Sequence, residues 1–110
     1  MSESVPGRLL RIFIDEDDRV DGRPAHLAIV DAMAAFGFCG ATVLKGIEGF
    51  GRSGRLRAAR AVDQGTGLPV LIELIDDETR IAAFLPQLEQ IMQGGLITLE
   101  SIAVTQVVHP

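Results

Sequence analysis

Two apolar, largely β-branched runs, Leu9–Ile14 and Val70–Ile75, each end in a cluster of carboxylates and are each followed by helical periodicity. This doubled pattern confines the chain to a narrow set of mixed folds. The first run reads as a strand with Leu10, Ile12 and Ile14 on one face, ending at Asp15-Glu16-Asp17-Asp18. Asp21-Gly22-Arg23-Pro24 reads as a helix start, with proline suited to the first turn and aspartate to the positive end of the dipole. Leu27, Val30, Met33 and Ala34 then recur at helical spacing through Phe36, and Gly37 is placed to stop the helix in a left-handed conformation.

A second strand is expected from Gly40 or Ala41 through Leu44, reaching at most Ile47. The third is Val70–Ile75, with Pro69 tolerated at its first position. Asp76-Asp77-Glu78 opens the second helix, whose stripe is Ile81, Phe84, Leu85, Leu88, Ile91 and Met92. Pro86 should kink or shorten that helix, and Gly94-Gly95 should end it. A last strand is expected from Ile97 to Val108, with a bulge where the apolar phase slips between Leu99 and Ile102. The order β-α-β-β-α-β predicts an α+β, ferredoxin-like fold: a four-stranded antiparallel sheet with two helices on one face. One domain should occupy residues 1–110, with about 1–7 a flexible, polar N-terminus.

Composition narrows the function. The 110 residues carry a net charge of −5, and 47% are hydrophobic, an ordinary globular balance. No apolar run approaches the ~18–20 residues that span a bilayer, and the start lacks the features of a secretion signal. The single cysteine, Cys39, cannot form an internal disulfide, so a cytoplasmic location is expected. With no Trp, no Tyr and an acidic balance, nucleic-acid binding is not expected.

The basic residues are unevenly placed. Lys45, Arg52, Arg55, Arg57 and Arg60 supply half of the ten cations, and six of the twelve glycines lie between positions 46 and 67. Glycine admits backbone N–H groups close to a phosphate and arginine adds bidentate charge, so the segment suits a small anion. A solvated surface loop has the same composition. Gly49-Phe50-Gly51-Arg52-Ser53-Gly54 fits the dinucleotide pattern G-x-G-x-x-G, but that motif needs a long helix and a parallel strand behind it. The candidate helix, 55–64, is short. Gly46–Ser53 nearly fits the P-loop pattern, but Arg52 stands where the phosphate-binding lysine belongs.

Gly40-Ala41-Thr42-Val43 followed by Gly49-Phe50-Gly51-Arg52 resembles the strand-to-T-loop signature of PII nitrogen-regulatory proteins. From Arg8 to Val108 the chain more closely resembles the uncharacterised PII-like family known as DUF one-ninety. That match rests on Ile14–Asp18, Gly40–Gly51, Ala83–Pro86 and Gly95–Glu100. The resemblance implies a homotrimer with small-molecule clefts between subunits and a T-loop-like segment at about 48–67 that signals to a partner. It implies an adenine nucleotide as effector, with Thr42 facing the adenine and Gly49, Phe50, Gly51 and Arg52 near the phosphates. Charge alone adds Lys45, Arg55 and Arg57. PII proteins also carry a lysine-containing loop after the second helix and arginines on the last strand. Here 93–98 reads Gln-Gly-Gly-Leu-Ile-Thr, without a cation, which favours AMP or ADP over ATP.

No catalytic residues are assigned, since two histidines and one cysteine form no recognisable nucleophile arrangement. No resident cofactor or metal is expected, because His26, His109 and Cys39 lack ligand spacing. The acidic run 15–18 reads as a solvated turn, and Glu73 as a carboxylate on the solvent side of its strand. Alternative functions are a ligand-independent module that regulates an ion channel or transporter, and a metal-binding protein resembling CutA.

Overall fold

The computed structural model describes residues 3–50, 57–58 and 67–109. Its order is β1 (Ser4–Asp15), β2 (Arg19–Val20), β3 (Arg23–Pro24), α1 (Ala25–Phe36), β4 (Thr42–Lys45), β5 (Glu48–Gly49), β6 (Arg57–Ala58), β7 (Pro69–Asp76), α2 (Glu78–Ile91) and β8 (Leu96–Thr105). The main sheet runs β4-β7-β1-β8 with every neighbour antiparallel, which is the expected ferredoxin-like arrangement.

Register explains which side the helices cover. Between β1 and β7, Leu10 pairs with Leu74, Ile12 with Ile72 and Ile14 with Val70, and none of the six is more than 7% exposed. Ile29 and Met33 of α1 and Ile81, Phe84 and Leu88 of α2 close over them. Burying each such side chain contributes about 1.5–3 kcal/mol. The alternate set, Leu9–Ile75, Arg11–Glu73 and Phe13–Leu71, faces away from the helices.

Both helix ends follow local chemistry. Asp77 caps α2 by accepting from the Arg80 N–H (2.8 Å), and Gly37 ends α1 at φ 103°. Arg80 ties the two helices together: its guanidinium lies 5.3 Å from the Phe38 ring centre and 5.7 Å from that of Phe36, and it donates to the Gly37 carbonyl. Pro86 lies within α2, which runs on to Ile91 without ending.

Four expectations are corrected. Asp21 and Gly22, at φ 50° and 80°, form the two-residue turn of the β2–β3 hairpin rather than a helix cap, as Asp-Gly pairs favour. The first turn of α1 contains no acidic residue, and the Ala25 N–H instead donates to the Asp18 carbonyl (2.7 Å). Residues 4–7 are not frayed: they extend β1 and pair with Ile102–Thr105 of β8, because a matching strand lies alongside. Nor does β8 contain a bulge. Its register against β1 is unbroken from Leu96 to Thr105, and the apolar phase slips only because Ile97 and Leu99 face the helices while Ile102 and Val104 face the open side. A strand with apolar residues on both faces carries no phase signal.

Candidate functional site

The end of β4 builds the base of the glycine-rich segment. The Gly46 N–H donates to the Pro69 carbonyl at 2.7 Å, and the backbone then passes directly over the Pro69 ring. A Cβ at Gly46 would lie 2.7 Å from Pro69 Cγ, and one at Gly49 would lie 3.1 Å from it. Glycine is required here by close approach. Glu48 and Gly49 pair with Ala58 and Arg57 to make a short antiparallel stem. Arg57–Ala58 are thus extended, which excludes a helix through those two positions, and with it the continuous helix over 55–64 considered from the sequence. Ile47 and Phe50 flank the stem at 78% and 75% exposure.

The acidic turn after β1 holds this base from the other side. Lys45 Nζ lies 2.5 Å from Glu16 Oε2, the Glu16 N–H donates to the Leu68 carbonyl (2.9 Å), and Asp17 Oδ1 accepts from the Gly67 N–H (3.2 Å). Arg19 donates back to the carbonyls of Glu16 and Asp18. The turn, which the charge run alone presents as solvated, is therefore a bracket that joins the two ends of the segment. The hydrogen bond from Lys45 is the main influence holding the Glu16 carboxyl below the usual glutamate range, against the opposing effect of burial and with smaller help from the charge of Lys45, the Leu68 backbone and His26. His26 Nδ1 is buried and has no hydrogen-bond partner among the described residues.

The proposed ligand residues divide three ways. Thr42 pairs with Glu73 and Lys45 with Val70, so they occupy opposite faces of β4, a strand at the sheet's edge. Gly49 and Phe50 lie at the stem beside Lys45 in sequence, and the backbone of Arg57 lies opposite Gly49. Gly51, Arg52 and Arg55 lie outside the described residues. Sequence reasoning missed Glu16 as the partner of the chain's only lysine. No sequence signal marks the pair, since 29 positions separate the two residues.

A second polar cluster occupies the open face. Arg11 donates to Glu73 (2.8 Å) and to Glu100 (2.9 Å), joining β7, β1 and β8 across the sheet. These bonds, led by that to Glu73, hold the guanidinium more firmly protonated than usual. Around it lie exposed Phe13, Leu44, Ile75 and Leu96, at 40%, 49%, 53% and 65%. A shallow groove of about 420 Å³, lined by Ser4, Val5, Pro6, Ser101, Ile102 and Ala103, lies at the far end of β1 from Lys45 and has no charged side chain in its lining. Among the described residues no three His, Cys, Asp or Glu side chains come together to hold a metal, and no helix is long and apolar enough to cross a membrane.

The profile of the DUF190 family, described as an uncharacterized ACR, matches residues 7–104. The chain belongs to the DUF190 family. Two UPF0166 proteins are relatives of this DUF190 chain. That of Aquifex aeolicus is 36% identical over 91% of this chain and 94% of its own, and that of Methanocaldococcus jannaschii is 34% identical over 86% and 88%. Among solved structures, a PII-like protein of Thermus thermophilus superposes with a TM-score of 0.64 at 21% identity, covering 96% of this chain and 93% of that one. CPII of Thiomonas intermedia, bound to ADP and bicarbonate, superposes with a TM-score of 0.60 at 20% identity, covering 93% and 91%. The fold of this DUF190 protein is PII-like.

Proposed function

We propose that this DUF190 protein is a non-catalytic, PII-like regulator that binds an adenine nucleotide beside the stem formed by 48–49 and 57–58. The observation that carries this is the likeness over 93% of the chain to CPII, whose structure holds ADP. The local chemistry supports it. The glycines let the backbone pack closely on Pro69 as it leaves β4, and Lys45 supplies a cation at the same point. AMP or ADP suits the site better than ATP, because Met92–Gly95 and β8 contribute no basic side chain. Arg52, Arg55 and Arg57 would supply the remaining charge.

The nucleotide would bind at the cleft between protomers of a homotrimer. The open face of the sheet supports self-association, since Phe13, Leu44, Ile75 and Leu96 form an apolar surface that water covers in a monomer. The segment 46–67 would carry the ligand's effect to a partner, by the ligand's differential affinity for two arrangements of it. A membrane transporter or channel is the partner class proposed, with exposed Ile47 and Phe50 as its first contacts.

Calorimetry on purified protein tests the ligand: heat is expected with AMP or ADP, and none with AMP, ADP, ATP and cyclic AMP would refute the proposal. Sedimentation tests the assembly, with three times the 11.8 kDa chain mass expected.

A further inference from the structure

We infer that Glu16 is a specificity determinant of the nucleotide site, lowering its affinity for anions in proportion to their charge by holding a carboxylate beside Lys45. This rests on the nucleotide function proposed above. Three observations carry it. Lys45 is the chain's only lysine and the cation that ends β4 at the base of the segment. Its ammonium is already paired, at 2.5 Å, with Glu16 Oε2. Glu16 is not free to leave with it: its own N–H is fastened to the Leu68 carbonyl, and the adjacent Asp17 is fastened to the Gly67 N–H. The backbone that carries Glu16 is a fixed part of the bracket, and its side chain is the less exposed of the pair, at 26% against 52%, so the lysine is the more movable partner.

An ammonium has three donors, so an arriving phosphate can share Lys45 or take it over. In either case the phosphate oxygens come within a few ångströms of a carboxylate carried on a fastened turn. Repulsion between like charges at that separation grows with the ligand's charge. The penalty is therefore smallest for a monophosphate and largest for a triphosphate. Selectivity against ATP would then come from a built-in negative element as well as from the missing cations of β8 and the 92–95 turn.

The test is to titrate AMP, ADP and ATP by calorimetry into wild type, Glu16→Gln, Lys45→Gln and the double variant. Both substitutions are at exposed or half-exposed polar positions, so the fold should survive. Glu16→Gln should tighten ATP on the order of fivefold and AMP by less than about twofold, the range for an exposed charge pair. Those gains should persist when Lys45 is already Gln, because the carboxylate then faces the phosphates with no counter-charge. An equal gain for all three nucleotides, no gain, or a gain lost when Lys45 is already Gln would overturn the inference while leaving nucleotide binding standing. If no nucleotide binds any of the four proteins, the proposed function falls. Glu16 is then judged on Lys45 directly, through the single side-chain signal of the ¹³C-methylated lysine in NMR. Pyrophosphate moving that signal at lower concentration in Glu16→Gln than in wild type upholds Glu16 as a brake on anions at Lys45, and an equal response, or none, overturns that role too.

Discussion

Gly46→Ala is a substitution whose sign depends on the packing of the stem. Gly46 is not among the glycines held at positive φ, so its backbone alone would accept alanine. On backbone entropy, the change would stabilise the protein by about 0.4–1 kcal/mol. The structure predicts the opposite. The new Cβ would lie 2.7 Å from Pro69 Cγ and 3.5 Å from the Pro69 carbonyl oxygen. The proline ring is tied to the backbone of β7 and cannot rotate away, so β4 must lift by several tenths of an ångström. That movement also stretches the 2.7 Å bond from Gly46 N–H to Pro69. Overpacking costs about 1–3 kcal/mol and a weakened hydrogen bond about 0.5–1.5 kcal/mol. Set against the entropic gain, a net loss of about 1–3 kcal/mol is expected. Urea unfolding followed by far-UV circular dichroism measures it, since the chain has no Trp or Tyr for fluorescence. Protein concentration must be held constant, because association would shift the midpoint. Pro69→Ala removes the obstructing ring, so Gly46→Ala should cost much less in that background. A stabilising Gly46→Ala, or a cost unchanged by Pro69→Ala, would refute the close approach as the reason for glycine.

Three further outcomes are expected. Phe84 is fully buried, with its ring centre 5.2 Å from that of Phe36 and 5.3 Å from that of Phe38, so Phe84→Ala should cost about 3–5 kcal/mol in the same unfolding assay, and a loss under about 1 kcal/mol would contradict the core described. The Glu16 carboxyl is held below its usual range, so its contribution to stability is complete above the unfolded pKa of about 4.3 and is lost as pH falls through the lower folded value. The gap in urea midpoint between wild type and Glu16→Gln should therefore close between about pH 7 and about pH 3, and a constant gap would contradict the pairing with Lys45. Arg11→Glu places three carboxylates together on the open face, so a trimer built through that face should sediment as the 11.8 kDa monomer, whereas an intact trimer would put the interface elsewhere.

Much of the fold was legible from short-range pattern. Leu10, Ile12 and Ile14 alternate, the stripe from Ile81 to Met92 has helical period, and Pro69 and Gly37 punctuate the elements as their backbone chemistry requires. The errors have a common cause. Asp21-Gly22 reads along the chain as part of a helix start, and only the pairing of Val20 with Arg23 makes it a hairpin turn. The N-terminal residues 4–7, Ser-Val-Pro-Gly, read as a loose end until 102–105 lie beside them. The supposed bulge in β8 dissolves once both sheet faces are known to be partly apolar.

The site was less legible for the same reason carried further. Composition marked the 45–60 cluster, because glycine and arginine advertise themselves one residue at a time. Periodicity and punctuation act over a few residues, and so strands, helices and their order could be derived from the chain alone. Charge pairing acts over a few ångströms of space, whatever the separation along the chain. Glu16 meeting Lys45, Asp17 meeting Gly67, and Arg11 set between Glu73 and Glu100 are all consequences of how the strands lie in register. Folding turned an apparently solvated acidic turn into the bracket at the base of the glycine-rich segment, and a strand carboxylate into half of a cross-sheet clasp.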